Sequence, residues 1–366
     1  MPFTFLAFNF IWQRVKCNYE QQAYAINGKI ECCMEQKTET VTSQPPRLVS
    51  SLGAGFNTVA NNPSLILLPV LLDLFLWFGP RLSLKQAMSN LMAEAFEAIT
   101  EMGSTDMMEV VSVTQSTWQT VLEYFNLFSS LRSFPIGIGS LIAGQPAEGS
   151  PLGLRAVIEL PTLTSAFLLW IMLAILGVIL GSVYFSEVAR FCTGTETSFS
   201  IKNLRWQTTQ ALLFSLGLVI LILVIAFPVS IMVSIISMIN ALFAQIAVFA
   251  VIFFLLWMLI PLFFVPHGIF IGKLNIIKSI LSSVRLVRFV LPSTGLFILV
   301  VVLLSQGMNL IWLIPPVTSW MTLIGILGHA FVATGLLAAS YIYYRDGSRW
   351  MDETLQRLLD QRSQKV

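Results

Sequence analysis

The chain has 366 residues, of which 56% are hydrophobic and only 11% are charged, and its formal net charge at pH 7 is +2. An average soluble domain carries about 25% charged residues, so this composition excludes a soluble globular protein. The small net charge, without a run of lysine or arginine, also argues against a nucleic-acid partner.

The first 46 residues differ from the rest of the chain. They begin with an apolar run too short to span a membrane, and the basic residues follow that run, which is the reverse of a signal peptide. Residues 17–46 are polar and aperiodic, and Met34 opens a stretch typical of a disordered beginning. We predict that residues 1–46 are disordered or belong to a wrongly extended gene start. The alternative is an amphipathic helix over residues 3–16 that lies on the membrane.

Residues 47–343 predict an all-α fold, a polytopic transmembrane helix bundle with six spans. A helix that rises about 1.5 Å per residue needs about 20 apolar residues to cross a hydrocarbon core about 30 Å thick. Before the first span, a helix over residues 48–61 is expected to lie along the bilayer. The predicted spans are 63–79, 163–185, 211–235, 240–265, 292–314 and 320–343.

The connections between the spans predict further amphipathic helices at the membrane interface. Residues 82–161 are predicted to form an extracytoplasmic insert with two amphipathic helices and a glycine-rich apolar piece too short to span. The connection over residues 267–290 combines basic and apolar residues at helical spacing, which indicates a helix on a lipid surface. Residues 344–366 are predicted to form a charged cytoplasmic tail. The basic residues of the surface helix are Lys273, Lys278, Arg285 and Arg288.

The distribution of basic residues predicts the orientation. With six spans both termini lie on one side of the membrane, and that side carries 17 of the 21 lysine and arginine residues. Basic residues near span ends favour the cytoplasm, so both termini are predicted to be cytoplasmic, in a multi-pass protein of the cell (inner) membrane. Trp77, Trp312 and Trp320 would then lie at the outer interface, where amphipathic rings prefer to sit.

One carboxylate, Asp73, lies within the first predicted span, where an ionised aspartate costs about 2.5 to 3.5 kcal/mol on insertion scales. Helical rise places four other polar residues of the spans at a similar depth in the outer half of the membrane. These five residues are a candidate polar cluster that lines a cavity open to the outside, or else they form hydrogen bonds between helices. The cluster comprises Asp73, Gln245, Gln306, Asn309 and His329.

Small residues predict close helix contacts, and no motif predicts catalysis. Gly177 and Gly181 form a GxxxG pair, and the last span carries a face of alanine, glycine and threonine. The sequence contains no P-loop, Rossmann glycine pattern, HExxH or GxSxG, so we expect no enzyme activity and no cofactor. No metal site is expected, because the four cysteines match no zinc framework and are read as free thiols on the cytoplasmic side: Cys17, Cys32, Cys33 and Cys192.

Three stretches of the chain, residues 63–83, 268–289 and 319–350, resemble a group of uncharacterised six-span membrane proteins from filamentous green non-sulfur bacteria. The basic helix with Ser279, Ser282 or Ser283 followed by a span is more loosely similar to YciC-like proteins and to the membrane domain attached to some glycerophosphodiester phosphodiesterases. The resemblance implies a six-span membrane fold and carries no catalytic residues, because the phosphodiesterase domain is missing.

The sequence leaves two hypotheses of function. In the first, the protein handles or transports a small or lipidic molecule in envelope maintenance, with the polar cluster as its site. In the second, it is a non-catalytic membrane scaffold or accessory subunit that binds partner proteins or anionic lipid through the insert and the basic helix. A transporter is expected to show related halves or broken helices facing each other at mid-membrane, and the sequence shows neither clearly.

The gene-start prediction is directly testable. If translation begins at Met34, peptide mass spectrometry of the native protein should recover peptides from residue 34 onwards and none from residues 1–33. A single peptide from residues 1–33 would overturn it.

Overall fold

The computed structural model describes residues 45–102, 105–145, 149–194 and 200–363. Nearly all of the predicted N-terminal segment 1–46 lies outside these residues, as do Cys17, Cys32 and Cys33. Helices dominate the described chain, as the apolar sequence requires. A bilayer core contains no water to bond backbone groups, and a helix satisfies them internally.

Eleven α-helices follow one another in the described residues, joined by 3₁₀ turns at Pro63–Ile66, Leu127–Arg132 and Ile260–Leu262. The helices are α1 Leu48–Asn61, α2 Leu67–Phe78, α3 Lys85–Met102, α4 Thr105–Tyr124, α5 Leu163–Thr193, α6 Ile201–Ile239, α7 Ala241–Leu259, α8 Val265–Phe270, α9 Ile276–Phe289, α10 Leu291–Trp312 and α11 Thr322–Ser363.

Four short strands accompany the helices. β1 Arg81–Ser83 pairs in parallel with β4 Val157–Glu159, with Leu82 opposite Ile158. β2 Gly149–Ser150 and β3 Gly153–Leu154 form a small antiparallel hairpin. The β1–β4 pair ties the two ends of the 82–161 insert together.

Five helical stretches of the described chain are long and apolar enough to cross a membrane, and α1 with the following helix makes a sixth if the bent pair counts as one span. The predicted all-α multi-pass bundle is therefore confirmed. The helices exceed several predicted spans, and α11 continues through the predicted tail to Ser363 without a break. The five stretches are Leu163–Thr193, Ile201–Ile239, Leu242–Phe270, Leu291–Trp312 and Thr322–Ser363.

The chain turns sharply between the helix predicted over 48–61 and the span predicted over 63–79. Pro63–Phe78 is bent by 93° from α1. The bend follows from Asn62 and Pro63: the Asn62 side chain donates to the Thr58 carbonyl, and Pro63, at the start of the 3₁₀ turn, has no N–H to continue α1. The observed bounds match the predicted helix over 48–61 and the predicted span over 63–79, and the two parts together are long and apolar enough for one crossing.

The first helix packs along α11 rather than standing apart on the bilayer surface, because small residues allow close contact. A Cβ atom added to Gly55 would lie 2.4 Å from the Ala339 nitrogen and 2.6 Å from the Gly335 carbonyl oxygen. Beside it, the Phe56 ring covers Gly335 and lies 5.8 Å from the Phe331 ring. The small-residue face predicted for the last span is the face that receives α1.

The 82–161 insert is only partly a surface element. Helices α3 and α4 pack against each other, but the following chain enters the bundle, where Ile136 and Ile138 are buried. A Cβ atom at Gly177 would lie 2.6 Å from the Leu131 carbonyl oxygen. The GxxxG pair of α5 therefore packs against the backbone of the insert and not against another span. We call residues 136–142 the inserted segment.

The α1–α11 contact yields a matched pair of variants. Gly55→Ala should lower the melting temperature in detergent, because its Cβ meets backbone atoms that cannot move without parting the helices, a change that costs roughly 1 to 3 kcal/mol. Gly53→Ala makes the same chemical change in α1 with nothing within 4 Å, so it should leave the melting temperature unchanged or raise it. Equal melting temperatures for the two variants would contradict the contact.

Candidate functional site

The Asp73 carboxylate is fully buried and bonded to the inserted segment. The Ser140 hydroxyl donates to Oδ1, the Leu141 N–H to Oδ2 at 3.0 Å, and the Ile142 N–H to Oδ1 at 3.1 Å. Both carboxylate oxygens are thus satisfied, and hydrogen bonds to a charged acceptor are about twice as strong as neutral ones. Asp73 therefore holds irregular backbone inside the bundle and does not line an open cavity.

The structure brings together only part of the predicted polar cluster. Asn309 Oδ1 lies 2.8 Å from His329 Nδ1, and a Cβ atom on Gly139, next to Ser140, would lie 3.7 Å from His329 Nε2. Asp73, Asn309 and His329 thus gather around the inserted segment. Gln245 on α7 and Gln306 on α10 are exposed on the bundle surface, because packing rotates those faces of their helices outward.

The chain around Trp77 joins α2 to neighbouring elements. The Trp77 Nε1–H donates to the Val317 carbonyl at 2.7 Å, and the Trp77 ring lies 6.1 Å from the Trp320 ring. Arg155 donates to the Leu76 carbonyl near the C-terminal end of α2, where a cation is favourable. Burial and the nearby Arg81 guanidinium lower the pKa of Arg155. These contacts fix the end of α2 that lies beyond Asp73.

The predicted basic surface helix is present as α9, with Lys278, Arg285 and Arg288 exposed; Lys273 precedes it in an exposed turn. The opposite face of α9 is buried through serine side chains. The Ser279 hydroxyl donates to the Val265 carbonyl and the Ser283 hydroxyl to the Pro261 carbonyl, each at 2.6 Å. These bonds hold the inner face of α9 against the chain from Pro261 to Val265 and leave the basic face free.

A cavity of about 360 Å³ lies between several spans, and we call it the lateral cavity. Its wall is mostly apolar, and His267, Ser305 and Ser340 are its polar side chains. It is lined by Phe134 and Pro135 before the inserted segment, by Phe185 of α5, by Phe214 and Leu218 of α6, by Leu259, Leu262, Phe263, Pro266 and His267 around α8, by Val301 and Ser305 of α10, and by Ala333, Leu336, Leu337 and Ser340 of α11.

His267 is the main polar group of this cavity, and it is 3% exposed. Its Nε2 lies 2.7 Å from the Ser340 oxygen, while the Ser340 hydroxyl donates to the Leu337 carbonyl at 2.7 Å. The tautomer of the ring decides which of these two atoms is the donor. The Phe263 backbone carbonyl is a further hydrogen-bonding partner of the ring.

The arrangement suits noncovalent binding. The polar side chains of the cavity wall are one imidazole and two hydroxyls, which can form hydrogen bonds with a bound molecule. Within the described ranges, no three histidine, cysteine, aspartate or glutamate side chains are grouped to hold a metal ion. The sequence analysis missed this site, because His267 was placed at the start of a surface connection. The residues from Phe263 to Phe270 are mostly apolar and include no charged side chain, and this pattern could have indicated that His267 is buried.

Comparison of the chain with protein-family models, with curated proteins and with solved structures finds no match. The resemblance to green non-sulfur bacterial membrane proteins therefore stays a prediction. The function must be argued from the geometry of the chain itself.

Replacing Asp73 tests its role as the anchor of the inserted segment. Asp73→Asn offers one carbonyl oxygen and an NH₂ group to three donors, so it should lower the free energy of unfolding by about 2 kcal/mol. Ser140→Ala should cost about half as much, since two donors remain. Thermal unfolding in detergent measures both changes.

The control is Gln245→Leu, which alters a polar residue of the same predicted cluster on an exposed helix face. It should leave the melting temperature within error of the unmodified protein or raise it. A melting temperature unchanged by Asp73→Asn would show that the carboxylate does not hold the segment.

Proposed function

We propose that this protein binds a small or lipidic molecule in the lateral cavity, as a transporter-like or envelope-maintenance component of a bacterial inner membrane. The supporting observation is the cavity itself. Its volume of about 360 Å³ falls within the roughly 300 to 1,000 Å³ of small-molecule sites, and a mostly apolar wall with a few polar groups is the usual composition of such sites.

The position of the cavity supports entry from the lipid phase. It borders α6 and α10, two helices whose apolar surfaces are largely exposed. From Val219 to Ile239 no residue of α6 is buried, and α7 packs mainly against α6. An apolar molecule dissolved in the bilayer reaches the cavity beside this hairpin without crossing water. The few polar side chains of the wall favour a mostly apolar molecule that carries one or two hydrogen-bonding groups.

The exposed α6–α7 hairpin also supports the second hypothesis, a scaffold or accessory subunit. A partner helix covering the hairpin would bury apolar side chains that are exposed in the single chain. Such a partner would copurify in fixed stoichiometry, whereas lipid alone would leave the chain monodisperse without a second polypeptide.

We further propose that both termini lie in the cytoplasm, on the strength of the basic-residue asymmetry. Cysteines introduced at exposed positions test this in a chain whose native cysteines are replaced. A membrane-impermeant maleimide should label Leu152→Cys in intact cells, and it should label Ser363→Cys only after permeabilisation. The opposite labelling pattern would reverse the topology.

Filling the lateral cavity tests the binding function. Val301→Trp on α10 places a larger ring in the cavity, so the affinity for a neutral probe, dioleoylglycerol, should fall about tenfold or more. Val302→Trp, one residue along on the exposed face, is the matched control and should bind like the unmodified protein. Titration in detergent with native mass spectrometry measures both affinities.

Equal probe binding by all three proteins, with melting temperatures unchanged, would contradict a ligand in the lateral cavity. A loss of binding by both tryptophan variants would attribute the probe to the general lipid-facing surface instead, which equally overturns the proposal.

A further inference from the structure

A second pocket, of about 310 Å³, lies between α9 and α11 at the end of the bundle where α11 continues past its apolar part. It is separate from the lateral cavity, with which it shares no lining residue. We call it the basic pocket. It is lined by Lys278, Leu281, Ser282 and Arg285 of α9 and by Ser348, Met351 and Asp352 of α11.

The pocket presents two cations without acidic partners. Lys278 and Arg285 are seven residues apart, which is two helical turns, so they project from the same face of α9. The ion pairs of the described chain are Arg190–Glu187, Arg345–Asp346 and Arg357–Glu353, so neither cation is neutralised by one. Asp352 at the rim offsets one charge, which leaves the pocket with a net positive charge.

Hydroxyl groups supply hydrogen bonds beside these cations. The Ser282 oxygen lies 3.0 Å from the Tyr344 hydroxyl oxygen, and the buried Ser348 hydroxyl interacts with the same tyrosine. Cations flanked by hydroxyl donors match the oxygens of a phosphate, which accept several hydrogen bonds at once.

The surroundings of the pocket favour a phosphate attached to lipid. Ile277 and Leu281 are 66% and 60% exposed on the same face of α9 as the cations. The helix is short, and Leu291 begins the next span directly after Val290, which keeps α9 at the membrane surface. Exposed apolar side chains on such a helix enter the acyl boundary while the cations lie at the depth of the phosphates.

We propose that the basic pocket binds the phosphate of an anionic phospholipid, with Lys278 and Arg285 paired to the phosphate oxygens and the Ser282 hydroxyl donating to them. A free phosphate gains nothing from Ile277 and Leu281, so the lipid binds more tightly than the inorganic ion. This proposal does not depend on a ligand in the lateral cavity, because the two sites share no lining residue.

The test compares two pairs of neutralising substitutions in the full chain. In detergent, the protein is titrated with phosphatidylglycerol or phosphatidylcholine, and bound lipid is counted by native mass spectrometry. Lys278→Gln with Arg285→Gln should weaken phosphatidylglycerol binding about tenfold or more. Lys273→Gln with Arg288→Gln removes the same amount of charge from the same surface, outside the pocket. This second pair should change the affinity for phosphatidylglycerol less than about twofold. The unmodified protein should bind phosphatidylcholine more weakly than phosphatidylglycerol. The affinity for phosphatidylcholine should be similar in the unmodified protein and in both double variants.

The substituted residues are exposed, so both double variants should keep the melting temperature of the unmodified protein without lipid. Ser282→Ala gives an independent measurement, with an expected loss of about threefold to tenfold in phosphatidylglycerol binding.

Two results would overturn the proposal. Equal losses for the two double variants would mean that phosphatidylglycerol is attracted by diffuse surface charge and not by the pocket. Displacement of phosphatidylglycerol by millimolar inorganic phosphate at constant ionic strength would mean that the pocket takes free phosphate.

Discussion

The bond between Asp73 and the inserted segment is the interaction on which the rest of the bundle depends. A buried carboxylate and a stretch of non-helical backbone are each costly at membrane depth, because neither finds water there. The inserted segment supplies hydrogen-bond donors to the carboxylate, and the carboxylate supplies acceptors to the segment. The N–H groups of Leu141 and Ile142 have no helical acceptor, and Asp73 provides two oxygens within 3.1 Å.

The irregular chain fits inside the bundle because glycine lines its path. Gly177 and Gly181 of α5 lie so close to Leu131 and Gly137 that a methyl group at either position would overlap backbone atoms. The same device joins α1 to α11 at Gly55 and Gly335. In lipid, apolar side chains gain little by leaving one apolar medium for another, so backbone contact and hydrogen bonds must hold helices together.

Helix α11 connects the two proposed binding sites through a layer of aromatic rings. Ser340 reaches the lateral cavity, Ser348 reaches the basic pocket, and Tyr344 lies between them along the helix. The Tyr344 ring is 5.8 Å from the His267 ring, and its hydroxyl is 3.0 Å from Ser282. This layer separates an apolar space from a charged one, so each site keeps its own chemistry.

The sequence by itself determined the features that depend on local pattern. Apolar length predicted the five long helices, helical spacing predicted the basic face of α9, and residue size predicted the close-packed face of α11. Only the tertiary structure decided the rest. The partner of Asp73 is 67 residues away along the chain. Packing sets the rotation of each helix about its own axis, which turned Gln245 and Gln306 outward and buried His267. Hydropathy reports how deep a residue lies in the membrane, but it carries no information on which neighbour it faces.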